Sequence, residues 1–199
     1  MKGTTRGRPS TCSPEMLQDA AFELFLENSY AKTTIENITQ RAGVSRATFF
    51  NYFPAKSDVF WVDLDHALLR LQQELSAPDP GEEATALRGL TRVHKALLAV
   101  ASDLGTDRVP FALTQYELVG SVHELQASAL SRLSAQAGII TEFLVAYGMP
   151  APRARAAAYA CIASAIAGAQ EWASQGTRRA PLETYLQAAV GPVLEGFAS

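Results

Sequence analysis

The sequence predicts an all-α protein with a small three-helix head at its amino end and a larger helical domain behind it. Apolar residues recur at intervals of three and four along most of the 199 residues, which is the helical period. No strand-like alternation of useful length and no internal repeat stands out. The composition, 48% hydrophobic and 19% charged, is ordinary for a globular protein. We expect about nine helices, with residues 1–57 forming the head and residues 58–199 the larger domain.

The segment from Thr33 to Lys56 predicts a helix-turn-helix. Its apolar residues fall on two short helical runs that can share one small core, and they are Ile35, Ile38, Val44, Phe49 and Phe53. Gly43 lies between the runs, where the chain must turn through a left-handed conformation that costs a residue with a Cβ about 1–2 kcal/mol. Pro54 then ends the second helix of the pair.

Hydroxyl residues mark the starts of the three head helices. Ser13 precedes a proline and can begin the first helix. That helix has an apolar face made of Leu17, Ala20, Ala21, Leu24 and Phe25. Thr33 or Thr34 can cap the second helix, and Thr33 is spaced from Glu36 as in a capping box. Ser45 can cap the third helix.

The head resembles that of the TetR family of bacterial transcriptional regulators, which typically reads TT-x-x-x-I-x-x-x-AGVS-x-x-T-[LF]-Y-x-YF-x-x-K. The matching residues are Thr33, Thr34, Ile38, Ala42, Gly43, Val44, Ser45, Thr48, Phe49, Tyr52, Phe53 and Lys56. One position departs from the pattern, because Phe50 stands where the family often has a tyrosine whose hydroxyl can reach a phosphate. The resemblance covers roughly the first third of the chain.

The resemblance implies a homodimeric transcriptional regulator, by default a repressor, that binds a palindromic DNA operator and is released by a small apolar or amphipathic effector. An activator or a partner-regulated DNA-binding protein with the same head is the alternative. A helical enzyme is the rival class, but the sequence has no glycine-rich phosphate loop, no G-x-S-x-G elbow and no metal-site spacing of His, Cys and carboxylates. We therefore predict no catalytic residue, cofactor or metal. Sequence does not specify the operator, the effector or the genes controlled.

The second helix of a helix-turn-helix enters the major groove with its amino-terminal part nearest the base edges. The predicted base-reading residues are Arg46, Ala47, Phe50 and Asn51. Arg46 can pair with guanine and Asn51 with adenine, and the alternative for Arg46 is a phosphate contact. The predicted phosphate contacts are Thr33, Thr34, Ser45, Thr48, Tyr52 and Lys56. For the threonines and Ser45, simple helix capping explains the residue equally well.

The first dozen residues combine glycine, proline and three cations with almost no apolar content, which is typical of an arm. Arg6 and Arg8 of this arm can enter an adjacent minor groove, and the alternative is a solvated tail.

Two predicted helices close the chain, near residues 153–174 and 181–197. By resemblance they form a four-helix dimer interface, which places two recognition helices about 34–36 Å apart on the DNA. The predicted interface residues are Ala160, Ala165, Gly168, Leu186, Val190, Val193 and Leu194. The alternative is that these helices complete the core of a monomer.

By resemblance, the fifth to eighth of the nine predicted helices enclose a small-molecule cavity whose occupation changes the spacing of the two heads. The predicted lining consists of Phe111, Gln115, Tyr116, Phe143, Tyr147, Tyr159 and Trp172. Aromatic residues at helical spacing are also typical of an ordinary core, so this prediction has a plain structural alternative.

Charge and cysteine usage agree with a DNA-binding protein of the cytoplasm. Residues 1–57 carry seven Lys/Arg against five Asp/Glu, and the remainder carries ten against fifteen, so +2 and −5 make up the net charge of −3. Cys12 and Cys161 lie far apart, which favours a reducing compartment. No signal peptide or membrane-length apolar stretch is visible, so we expect a cytoplasmic protein without membrane contact.

Overall fold

A computed structural model describes residues 13–79, 83–104 and 109–198, and these contain ten α-helices, two 3-10 helices and no strand. The all-α prediction is therefore confirmed for the described residues. The chain divides into two compact units between Val62 and Asp63. The sequence predicts this division after residue 57. It falls later in the structure because Val59, Phe60 and Trp61 are buried in the first unit.

The first unit, the head, consists of α1 (Pro14–Asn28), α2 (Ile35–Ala42), α3 (Arg46–Tyr52) and a 3-10 helix (Lys56–Trp61). Its core is built around aromatic rings. The Phe60 ring stacks on Phe25 with 5.3 Å between centroids and meets Tyr30 edge-on at 5.6 Å. Ile38 of α2 and Phe49 of α3 have no exposed surface, so both helices of the helix-turn-helix are anchored by buried side chains.

The turns of the head follow the predicted chemistry, with one correction. Gly43 has φ +69° and ends α2 in the left-handed conformation, as predicted. The capping box of α2 uses Thr34 and Asn37 rather than Thr33 and Glu36. The Thr34 hydroxyl accepts from the Asn37 amide at 3.1 Å, and the Thr34 amide donates to the Asn37 side chain at 2.9 Å. The sequence reading was one residue early because α2 begins at Ile35.

Helices are the only regular secondary structure among the described residues of the second unit, the regulatory unit. Its helices are α4 (Val62–Ser76, which starts at the last residue of the head), α5 (Ala86–Asp103), α6 (Phe111–Thr114), α7 (Tyr116–Ser121), α8 (His123–Ala146), α9 (Ala151–Ser174) and α10 (Leu182–Gly196), with a short 3-10 helix at Gly176–Arg178. Residues 111–121 do not form a single helix. The structure has two short helices there, because Gln115 leaves the helical conformation at φ −116° and ψ 32°.

The regulatory unit is organised around α9, which packs against both α8 and α10, while α10 also packs against α5. Gly168 makes the approach of α9 to α10 possible. A Cβ at this position would lie 3.0 Å from the Tyr185 carbonyl oxygen and 3.2 Å from the Ala189 Cβ. The small residue therefore serves packing within one chain.

Replacing Gly168 by alanine should push α9 away from α10 and lower the free energy of unfolding by about 1–3 kcal/mol, as overpacking typically does. Urea denaturation of the purified protein measures this. Gly138→Ala on α8 is the matched control, because its new Cβ meets nothing within 4 Å and should stabilise the helix by up to about 1 kcal/mol. Equal stability of the two variants would contradict the packing role of Gly168.

Candidate nucleic-acid interface

The orientation of α3 is fixed by a cap at its start and an anchor on its inner face. The Ser45 hydroxyl accepts from the Thr48 amide at 3.0 Å and forms a second hydrogen bond with the Thr48 hydroxyl at 2.8 Å. One turn later Phe49 is fully buried, with its ring 5.4 Å from the ring of Phe53. The opposite face of the helix is therefore left to solvent.

That opposite face carries the four residues predicted to read bases. Arg46, Ala47 and Asn51 are exposed, and the Phe50 side chain is 44% exposed. The Arg46 guanidinium carbon lies 5.5 Å from the Phe50 ring centroid, within the range of a cation–π contact. The four side chains thus lie on the outer face of α3. This face presents the Arg46 guanidinium, the Asn51 amide and the Phe50 ring, and Ala47 adds only a methyl group to it.

Four of the six residues predicted to contact phosphate are hydroxyl residues that are exposed or half-buried in the head. Thr34 and Ser45 are exposed, Thr48 is half-buried, and Tyr52 is 40% exposed at the end of α3. The Thr34, Ser45 and Thr48 hydroxyls also take part in the caps described above. These three residues therefore take part in helix caps and are also accessible at the surface of the head.

Thr33 has a different position from the one predicted. Its side chain is 2% exposed. Its hydroxyl oxygen lies 2.9 Å from the backbone carbonyl oxygen of Ser29 and 3.2 Å from that of Leu24, both within hydrogen-bonding distance. A buried hydroxyl engaged with the backbone is not placed to reach a phosphate. The turn that it supports is strained, since Ser29 is a non-glycine residue with φ +74° and ψ 157°.

Lys56 belongs to the same turn and also departs from its predicted role. Its ammonium donates to the Tyr30 carbonyl at 2.8 Å and the Thr33 carbonyl at 3.0 Å, and it lies 3.9 Å from the Tyr30 ring centroid. The half-buried lysine therefore ties the 3-10 helix to the turn between α1 and α2. Sequence reasoning missed this because the partners are backbone oxygens more than twenty residues away.

Arg41 holds α2 against α1 and was not singled out from the sequence. Its guanidinium pairs with Glu27 at 2.7 Å and Glu23 at 2.9 Å. The hydrogen bond from Arg41 keeps the pKa of Glu27 below its usual value, and the two carboxylates raise the pKa of Arg41. The guanidinium of Arg41 is thus committed within the head. The predicted arm residues Arg6 and Arg8, like Cys12, lie outside the described residues.

The seven residues predicted to line an effector cavity differ in their exposure within the regulatory unit. Trp172 is fully buried and donates its indole N–H to the Ala180 carbonyl at 3.0 Å. Tyr116 and Tyr159 are instead exposed at the surface, by 52% and 49%. Phe111 and Gln115 are half-buried at α6. Aromatic spacing on a helix does not tell which face turns inward, and the lining as a set stays a prediction.

Phe143 and Tyr147 do lie together, with ring centroids 4.8 Å apart near the end of α8. They pack on Arg92 of α5, which donates to the Tyr147 hydroxyl at 2.7 Å. Arg88 and Arg92 were missed in the sequence. In the sequence the two arginines stand four residues apart on one predicted helix and flank Gly89, and this pattern could have identified them.

A cleft of about 290 Å³ lies between α4 and α5. It is lined by Asp63, His66, Ala67, Arg70, Val100, Asp103 and Leu104, none of which was predicted. Arg70 spans it by pairing with Asp103 at 3.2 Å and with Glu74 at 2.9 Å. Deeper in the unit, Gln136 is 1% exposed and its amide nitrogen has no hydrogen-bond partner among the described residues. The unit therefore offers a polar cleft and a buried donor.

Part of the predicted dimer interface is used inside the chain. Leu186, Val190 and Leu194 of α10 and Gly168 of α9 are buried, so they cannot form an outer contact surface. Ala160, Ala165 and Val193 are half-buried. Both helices nevertheless keep an exposed stripe of mostly small residues, consisting of Ala156, Tyr159, Ala163 and Ala167 on α9 and Ala188 and Pro192 on α10.

Other reactive groups give no site. Burial raises the pKa of the Cys161 thiol to about 12, so the thiol is neutral and packs in the core. The described residues include no group of three His, Cys, Asp or Glu side chains placed to hold a metal ion. None of the described helices has the length and hydropathy of a membrane-spanning segment.

The helical head and the exposed face of α3 define a helix-turn-helix protein, and comparison with known families agrees. Residues 17–60 match the model of the tetR family of bacterial regulatory proteins. Residues 88–198, more than half of the chain, match the model of the MftR C-terminal domain. The chain belongs to the TetR family, and it is a transcriptional regulator with a DNA-binding helix-turn-helix head and a helical carboxyl-terminal domain.

Two relatives and one solved structure illustrate the likeness. The candidate mycofactocin biosynthesis regulator MftR of Mycobacterium tuberculosis is 32% identical over 66 residues, a span of only 33% of each protein. The fatty acid metabolism regulator of Bacillus subtilis is 29% identical over 65% of this chain and 68% of its own length. The structure of FadR from Bacillus subtilis with stearoyl-CoA is 22% identical, covers 94% of this chain and 98% of its own, and has a TM-score of 0.57, which establishes a shared fold.

Lys56→Met should weaken DNA binding and lower the melting temperature without changing the salt dependence of binding, because Lys56 holds a turn in place. If Lys56 instead contacted a phosphate, its loss would reduce the slope of log K against log salt by about 0.9. Titrations at several salt concentrations measure this slope. Lys32→Met, an exposed lysine in the same turn, controls for the lost charge. A smaller slope together with an unchanged melting temperature would contradict the structural role.

Proposed function

We propose that this chain is a homodimeric repressor that binds a palindromic operator through α3 and is released by an acyl-thioester effector. One observation carries the DNA-binding part. Arg46, Phe50 and Asn51 share the exposed face of a helix whose opposite face is locked by buried Phe49. A rigid helix with an unobstructed polar face is what major-groove recognition requires.

The residues of α3 have separate tasks in this proposal. Arg46 pairs with the O6 and N7 acceptors of guanine, and Asn51 pairs with adenine, each worth about 1–3 kcal/mol of discrimination. Phe50 touches a thymine methyl, and Ala47 allows the backbone to come close. Thr34, Ser45, Thr48 and Tyr52 position the head through phosphates without reading sequence.

Dimerisation supplies the second recognition helix. A single short helix spans only a few base pairs, so useful affinity requires two copies related by a two-fold axis. We assign the interface to the exposed stripes of α9 and α10, because small side chains such as Ala163 and Ala167 let helices of two chains approach closely. This assignment replaces the buried α10 residues of the sequence prediction.

The effector class is inferred from the relatives. The Bacillus subtilis FadR structure contains stearoyl-CoA, and the curated relative from the same organism is a fatty acid metabolism regulator. Binding of such an effector shifts the dimer toward a state whose heads no longer fit the operator. The buried Gln136 amide is a suitable donor for the carbonyl of a thioester. A protein of this kind acts in the cytoplasm.

An activator with the same head remains the second candidate, since the outcome depends on where the operator lies relative to the promoter. Selection of bound fragments from random DNA, followed by addition of stearoyl-CoA to the best duplex, tests the proposal. Enrichment of a palindrome and its release by stearoyl-CoA but not by stearate is the expected result. Absence of any enriched sequence at low salt would rule out the DNA-binding claim.

Arg46→Ala should weaken binding to the selected duplex and relax the preference at one base pair of each half-site, by about 1–3 kcal/mol. Binding to duplexes substituted at each position in turn measures the preference. Lys95→Ala, which removes an exposed cation of α5, is the control and should leave selectivity unchanged. Unchanged selectivity of Arg46→Ala would remove this residue from the base-reading set.

Ala163→Glu should convert the dimer to monomers, because it places a charge at the centre of the proposed α9 stripe. Analytical ultracentrifugation at micromolar concentration measures the oligomeric state. Ala127→Glu on α8, also exposed, adds the same charge and should leave the dimer intact. The interface assignment fails if Ala163→Glu sediments like the unmodified protein.

A further inference from the structure

Two arginines on successive turns of α5 converge on one carboxylate near the end of α8. Arg88 forms an ion pair with Asp79, and the Arg92 guanidinium lies 3.7 Å from the same carboxylate. The Tyr147 hydroxyl donates to Asp79 at 2.6 Å and accepts from Arg92 at 2.7 Å. Two side chains of α5 and the residue that follows α8 therefore surround one oxyanion.

This arrangement is held in place by contacts other than Asp79. Arg92 also donates to the Ala77 carbonyl at 2.7 Å, and its guanidinium carbon lies 5.4 Å from the Phe143 ring centroid and 5.8 Å from that of Tyr147. Gly89 lets α5 approach Tyr147, because a Cβ there would lie 2.8 Å from the Tyr147 Cβ. Arg92 and Tyr147 would thus keep their positions around a different anion.

Charge and exposure favour an exchangeable occupant. The side chains of Arg88, Arg92 and Asp79 are 30%, 18% and 20% exposed, so solvent reaches the cluster. Among the described residues, Asp79 is the one carboxylate that pairs with either arginine, so two positive charges meet one negative charge. Asp79 is carried by the non-helical segment after α4, whereas the two arginines stand on α5 and Tyr147 directly follows α8.

We propose that Arg88, Arg92 and Tyr147 form an oxyanion site for the polar end of the effector, and that Asp79 fills this site when the effector is absent. An incoming phosphate group of the effector competes with Asp79 for the two guanidinium groups and the Tyr147 hydroxyl. The inference deepens the proposed function and rests on it, because it names the group of the effector that the regulatory unit recognises. Bidentate guanidinium donors and a hydroxyl suit such a group.

Asp79→Asn tests the competition. Removing the internal carboxylate should tighten binding of coenzyme A by about tenfold, because the site no longer has to be vacated first. Isothermal titration of the full chain with coenzyme A and, separately, with octanoate measures this and distinguishes a phosphate from a carboxylate ligand. Asp103→Asn is the matched control, since it removes a carboxylate from Arg70 in the same unit and should leave both affinities unchanged.

Arg88→Gln provides a second, independent variant and should weaken the same ligand at least tenfold. The proposal is overturned if Asp79→Asn binds neither probe more tightly than the unmodified protein, or if Arg88→Gln binds both with unchanged affinity. Operator binding of each variant is measured without either probe. If the variants bind the operator as the unmodified protein does and their affinity for both probes is unchanged, only the oxyanion site is refuted. If the unmodified protein itself binds no operator, the proposed function is refuted.

Discussion

The structure of the head depends on burial of the inner face of α3. This helix has seven residues, too few to be stable in water by itself. Phe49 secures it in the head core and Ser45 satisfies its first turn, so the direction of the exposed side chains follows from these two contacts. A substitution that removes the Phe49 ring from the core would leave the Arg46 and Asn51 side chains without a defined orientation.

Features set by near neighbours could be predicted from the sequence. Gly43 and Ser45 were read correctly because a left-handed turn and a helix cap involve residues within one turn. The exposed face of α3 followed from the same short-range pattern. Lys56 and Thr33 could not be placed, because their partners are backbone oxygens that approach only when the head folds.

The regulatory unit was predicted less well for a related reason. An amphipathic pattern gives the number of helices but not the neighbour that each face meets. Val190 and Leu194 therefore looked equally suited to a dimer interface and to the chain's own core, where they lie. Tyr147 looked like a cavity residue, and its hydroxyl instead joins Arg92 to Asp79. The proposed oxyanion site rests on the same contact.

Chemical protection of DNA is the most direct test of the central claim that the outer face of α3 occupies the major groove. Dimethyl sulfate methylates guanine at N7, the major-groove atom that Arg46 is proposed to contact. The account predicts one protected guanine in each half-site of the selected operator, and loss of that protection in the complex with Arg46→Ala. Full methylation of every guanine in a saturated complex of the unmodified protein would contradict it.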